Sequence, residues 1–142
     1  SLEEGRIYIK DAKIRLDYFY PDRTLIISKK KGVYINHELK EESFFLIKKN
    51  IVKIFYDIFL DYNFLTTFAF KENNEEIVFE KKFTIDSKIT NLQIFFENKP
   101  FLIRKITTKT ENEIVSVSFS EHNYNNNFDE SLFSFVPMYI NK

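Results

Sequence analysis

The side chains that could carry chemistry are few and far apart. His37 and His122 are the only histidines and cysteine is absent, so thiolate nucleophiles, disulfides and cysteine metal sites are excluded together. Neither histidine has a second one nearby, and both read as exposed side chains in polar turns rather than as metal ligands or acid-base groups. Asp57 and Asp61 stand one helical turn apart, the spacing of a carboxylate pair. Nothing near them in sequence would raise one pKa, so they read as a solvated helix face. Ser28, Ser116, Ser118 and Ser120 lie in strand-like segments without the Gly-x-Ser-x-Gly setting of a nucleophile elbow. The runs Lys29–Lys31 and Lys48-Lys49 read as solvated turns or, more sharply, as docking points for an acidic partner surface. These readings point to a protein that is not an enzyme and uses no metal or cofactor.

Composition narrows the class further. Lys plus Arg equals Asp plus Glu at 21 each, leaving no net field toward nucleic acid or anionic lipid. A nucleic-acid interface would need a net basic patch with interleaved aromatics, so none is expected. No apolar run approaches the roughly 18 to 20 residues that span a bilayer. The opening SLEEGRIYIK lacks a signal peptide's apolar core. Aromatics make up 18% of the chain, with 17 Phe and no Trp, an unusually large stock of flat apolar surface. At 142 residues the expectation is one domain over 1–142, and a monomer.

The elements follow from periodicity. Gly5–Lys10 and Lys13–Tyr20 alternate as a hairpin, with Ile14, Leu16 and Tyr18 on one face. Thr24–Ser28, Val33–Asn36 and Ser43–Ile47 extend it into a meander, separated by turn chemistry at Pro21-Asp22 and at Lys29–Gly32. In IVKIFYDIFL, Ile51, Ile54, Phe55 and Ile58 follow the spacing of an amphipathic helix, over about 50–61, with Asn50 as its cap. Phe64–Lys71, Ile77–Phe83, Leu92–Phe96, Phe101–Thr108 and Ile114–Ser120 are further strands, followed by the loop HNYNNN. The fold class is mainly β: one curved antiparallel sheet with a single short helix, whose concave side is a core if the sheet closes into a small barrel and a cavity if the barrel is wide or incomplete. The runs Tyr18-Phe19, Leu25–Ile27 and Val33–Ile35 put apolar side chains on both faces of that sheet, whereas an antiparallel sheet usually leaves one face polar. Something must cover the second face.

The segments GRIYIK, RLDYFYPD and LIISKKKGVYI, in this order, resemble the central part of the LolA-like outer-membrane lipoprotein carriers, of the lipoprotein-localisation superfamily that also includes LolB. The segment NIVKIFY is similar to that family's short helix, and FDESLFSFVP to its closing segment. The resemblance spans most of the chain in order and spacing. Where the family carries Arg-Pro after the first of these strands, the chain has Asp11-Ala12, one residue shorter, and Lys10 is the residue left to contact a lid. The family's signal peptide, long amphipathic helix and first strand have no counterpart, which implies that the chain lacks the family's N-terminal part.

The resemblance implies an unclosed half-barrel with the short helix as lid, and a periplasmic carrier or chaperone. It would shield the acyl chains of lipoproteins in a cavity and ferry them from an inner-membrane lipoprotein-release ABC transporter complex to an outer-membrane acceptor. A LolB-like acceptor, or another lipid-binding periplasmic module, is the alternative. Acyl-chain carriage needs apolar surface rather than a reactive group, each buried CH2 being worth about 0.8 kcal/mol. Ile14, Leu16, Tyr18, Leu25 and Ile27 are the expected wall of the cavity. Leu92, Ile94, Val115, Val117 and Phe119 would stand opposite, with Ile54, Phe55 and Ile58 turned inward from the helix.

Overall fold

The period-two segments become strands because β-branched and aromatic residues recur at alternate positions. A computed structural model describes residues 4–48, 50–61, 63–123 and 128–139. Among these the chain is mainly β, with ten strands in two five-stranded antiparallel sheets, one α-helix and no closed barrel. Its residues group into two compact units, Ser1–Leu60 with Asn127–Lys142, and Asp61–Asn126. Where the sequence leads to one domain and one curved sheet, each unit holds a sheet of its own.

In the first unit β1 (Gly5–Lys10), β2 (Lys13–Tyr18), β3 (Arg23–Ile27), β4 (Lys31–Asn36) and β5 (Glu41–Leu46) form a meander in chain order. Asp11 and Ala12 turn the first hairpin with φ of 49° and 61°, the left-handed pair of a two-residue type I′ turn. A proline, fixed near −65°, fits neither position. At Gly32 a Cβ would press on the ring of Phe45, its partner on β5, so the missing side chain leaves room for that ring.

The helix α1 (Ile51–Leu60) starts where expected. The Asn50 side chain accepts from the Val52 and Lys53 amides at 3.0 and 3.4 Å, satisfying two otherwise orphaned donors. Ile14 and Ile27 face each other across β2 and β3, are fully buried, and form a core with Tyr56 of α1. Val52, Phe55, Phe59 and Leu60 pack on it from the helix, and Ile7, Leu25, Phe45 and Ile47 from the sheet. The contacting stripe is thus 52, 55, 56, 59 and 60, not the expected 51, 54, 55 and 58, a rotation of roughly 100°. Only Phe55 is common to both. Ile51 is exposed, and Ile54 is buried without belonging to this core. The physical reason is that every helix position except Lys53 and Asp57 is apolar, so two stripes fit the same spacing.

The opposite face of the same sheet carries Ile26, Val33 and Ile35, and the C-terminal segment covers it with Phe135 and Tyr139. Protein therefore lies on both faces of this sheet.

In the second unit β6 (Ala69–Glu72), β7 (Glu76–Ile85), β8 (Lys88–Glu97), β9 (Leu102–Lys109) and β10 (Ile114–Ser118) again follow chain order. The segment expected as one strand over 64–71 splits into a 3-10 turn, Phe64–Thr67, and β6. The Thr66 and Thr67 hydroxyls donate back to the carbonyls of Asn63 and Phe64 at 2.6 and 2.9 Å, a local pairing that competes with the sheet.

Registers place Phe70, Phe79, Ile94, Ile106 and Val117 in one row across all five strands. The neighbouring row on the other face is polar: Glu80 accepts from Gln93 at 2.6 Å, and the Thr107 and Ser116 hydroxyls meet at 3.0 Å. This sheet comes closer than the first to the apolar and polar alternation of a one-sided antiparallel sheet, with Val78, Ile89 and Phe95 as exceptions on the polar face and Lys81 and Thr90 on the apolar one.

Candidate functional site

The expected cavity residues fall into two groups, one in each unit. In the first, the structure brings Ile14, Leu25, Ile27 and Phe55 into one cluster. Leu16 pairs with Leu25 on the same face and is half-buried, and Tyr18 pairs with Arg23 at the end of that face. Ile58 is half-buried on α1. In the second, Leu92 and Ile94 are buried at 1% and 0% exposure, while Val115 and Val117 on the edge strand β10 retain 47% and 45%. Phe119 lies just past β10, its amide donating to the Arg104 carbonyl at 2.8 Å.

The first sheet's helix-facing side is thus a filled core. In the second unit the apolar row is buried at its centre and open at its ends, where Phe70 is 61% exposed. Phe70 and Phe79 have ring centroids 5.7 Å apart, and Phe79 meets Phe96 edge-on at 5.6 Å, both favourable aromatic geometries. At the other end of that sheet Phe64, Phe68 and Phe83 cluster, with Lys81 Nζ 5.2 Å from the Phe83 centroid.

Several polar residues do more than the sequence suggested. His37 is half-buried, not an exposed turn residue. Its Nε2 lies 2.8 Å from Thr24 Oγ1 and its Nδ1 2.7 Å from the Tyr139 hydroxyl. Thr24 donates to Asp17 at 2.7 Å. With that proton committed, Thr24 accepts from His37 Nε2–H, while Nδ1 faces the Tyr139 hydroxyl. Arg15 pairs with Asp17 at 3.0 Å and donates to the Leu132 carbonyl at 2.8 Å. The chain of bonds begins and ends on the C-terminal segment. It serves as a clasp that ties the C-terminal segment to the first sheet.

Lys10 does make a long-range contact, donating to the Phe128 carbonyl at 2.6 Å, on the C-terminal segment and not on α1. Lys31 and Lys13 place their ammonium groups 4.8 and 5.6 Å from the Phe135 centroid, so part of the expected solvated basic run holds the C-terminal cover by cation–π attraction. The Met138 and Tyr139 amides both donate to Glu42 Oε1. Asp57 is buried at 9% exposure and pairs with Lys53 at 2.7 Å, which corrects the solvated-face reading. Asp61 is exposed and accepts from the Asn63 amide. His122 is half-buried. Lys49 and most of the HNYNNN loop lie outside the described residues.

Two groups have displaced pKa values. Burial pushes the Tyr56 hydroxyl up; Lys53 works against this and Asp57 adds to it. The hydroxyl donates to the Ala12 carbonyl at 3.1 Å. Asp129 is held below the usual carboxylate range, first by the Ser131 amide and then by the Ser131 side chain.

Sequence reasoning missed Tyr56, Phe135 and Tyr139. For Tyr56 the second helical stripe was a usable signal; for the C-terminal aromatics, nothing in their own segment shows which face they cover. Among the described residues, no group of acidic or histidine side chains is arranged to hold a metal ion, and no helix is long and apolar enough to cross a membrane. No protein-family model matches this chain, and no curated protein matches it.

Proposed function

We propose that the protein binds acyl chains, and that it acts as a carrier or chaperone for acylated lipoproteins between the inner and outer membranes. What supports this reading is the apolar row Phe70–Phe79–Ile94–Ile106–Val117. Its end members stay in water, Phe70 at 61% and Val117 at 45% exposure, where burial against a CH2 chain would release about 25 cal/mol per Å². The helix α1 adds a second source of apolar surface. Its stripe Val52, Phe55, Tyr56 and Phe59 covers Ile14, Leu25 and Ile27, and a lid of that kind competes with cargo for the same face, which tempers affinity and permits handover.

The test is incubation of the full-length protein with spheroplasts or inner-membrane vesicles carrying a radiolabelled triacyl lipoprotein, scoring release into a soluble one-to-one complex. Release is the expected result, and Val117→Glu, at an exposed site where folding tolerates a charge, should cut the yield several-fold. No release from a donor shown to be active with a known carrier removes the carrier reading and leaves an acceptor or another lipid-binding module.

A further inference from the structure

Arg23 opens β3 between Tyr18 on β2 and Asn36 on β4. Together with Tyr18, Pro21 and Tyr34 it lines a pocket of about 140 Å³. One corner of its guanidinium is committed: Nη1 donates to the Tyr34 hydroxyl at 2.7 Å, with the guanidinium carbon 5.8 Å from the centroid of that ring. Its Nε is buried and has no acceptor. Buried donors are ordinarily satisfied, and each exception asks for a reason. Among the described residues Arg23 forms no salt bridge. Glu41, on the same cross-strand row, stands two strands away, roughly 10 Å at the usual strand spacing.

We propose that this pocket binds an oxyanion group, a carboxylate or a phosphate. The uncommitted Nε/Nη2 edge is the side-on fork that receives two oxygens of such a group in parallel hydrogen bonds. The Tyr34 hydroxyl accepts from Nη1, so its own proton is available to the same anion. The rings of Tyr18 and Tyr34 and the Pro21 ring wall the site and lower its local dielectric, which strengthens both contacts. The pocket is partly open to solvent and has room for the anionic group itself. The group is therefore a free anion or the head of a larger molecule. This site does not depend on acyl-chain carriage, since a free anion would satisfy it.

The experiment is a titration of the folded, full-length protein followed at the Arg23 Nε–H resonance by NMR, at constant ionic strength. The probes are acetate, inorganic phosphate, octanoate and octyl phosphate, with chloride as control. The expected result is a saturable shift below about 20 mM for at least one oxyanion and none for chloride. Arg23→Gln should weaken binding by about tenfold or more, followed at the Tyr34 ring signals. Arg23→Lys, which keeps the charge and removes the fork, should also weaken it, and Tyr34→Phe should weaken it by a smaller factor. Octanoate or octyl phosphate binding well ahead of its short counterpart identifies an amphiphile's head group; equal binding identifies a free anion. No saturable shift with any of the four oxyanions, or undiminished binding in a folded Arg23→Gln and Arg23→Lys, overturns the proposal.

Discussion

The two units solve the same problem, a five-stranded antiparallel sheet, in different ways. The first has strands of five or six residues and is apolar on both faces, with α1 on one and the C-terminal segment on the other. The second has strands of up to ten residues, an apolar row across all five strands and a more polar reverse. Two-sided apolarity in a short strand demands two covers, and the first unit supplies both from its own chain. In the second unit, burial at the centre of the row falls away to exposure at its ends, so apolar surface stays available there. The contrast separates residues that hold the fold from residues free to meet a ligand.

The largest expected effect breaks or upholds that contrast directly. Ile27→Ala removes a fully buried side chain and should cost about 2–5 kcal/mol in urea unfolding. Val117→Ala, at 45% exposure, should cost less than about 1 kcal/mol. Equal losses would mean that the row in the second sheet is as closed as the core of the first.

The C-terminal cover gives the next effect. Phe135→Ala removes a contact with the Ile26, Val33 and Ile35 face and both cation–π partners, and should lower stability by about 1–3 kcal/mol. Fluorescence of an apolar dye should rise as that face opens. If stability and dye binding stay unchanged, the segment is not a structural cover.

A smaller effect tests the other cover. Tyr56→Phe keeps the ring and loses the bond to the Ala12 carbonyl, for about 1 kcal/mol. Because burial raises the Tyr56 pKa, its contribution is complete below the unfolded value of about 10 and is lost as pH rises through the higher folded value. Wild type should therefore lose stability in that alkaline window, and Tyr56→Phe should lose less. Parallel curves for the two proteins would show that the hydroxyl does not ionise with unfolding.

How much of this was legible in the sequence follows from what each signal can carry. Most strand positions and the Asn50 cap were readable because alternation and capping are local; the segment 64–71 was not, since its threonines turn back on the local backbone. The face of α1 was not, because only Lys53 and Asp57 interrupt its apolar circumference. The second cover of the first sheet was not either: His37 meets Tyr139 across 102 positions, and Arg15 meets Leu132 across 117. The closing segment has no periodicity that names its target. Two-sided apolarity did signal that a cover was needed, though not which segment provides it. The pocket at Arg23 escaped notice for a related reason, since an arginine at a strand start is ordinary until its buried Nε is seen without an acceptor.

The smallest effect concerns how the C-terminal cover begins. Asp129 caps the 3-10 turn Glu130–Phe133, its side chain accepting from the Ser131 amide at 3.0 Å. That bond favours the carboxylate and lowers its pKa. A depressed folded value means that the stabilisation is present above the unfolded value, about 3.9, and is lost as pH falls through the folded one. The carboxylate is fully exposed, so the loss should be slight and confined to the turn. It should appear as faster exchange of the Ser131 amide below about pH 4, well before the first sheet opens. Asp129→Asn, which keeps an acceptor without the charge, should abolish the pH step while preserving most of the protection. Were Ser131 to exchange in step with the buried strand β3, the turn would be part of the sheet's own cooperative unit, and the cover could not lift alone.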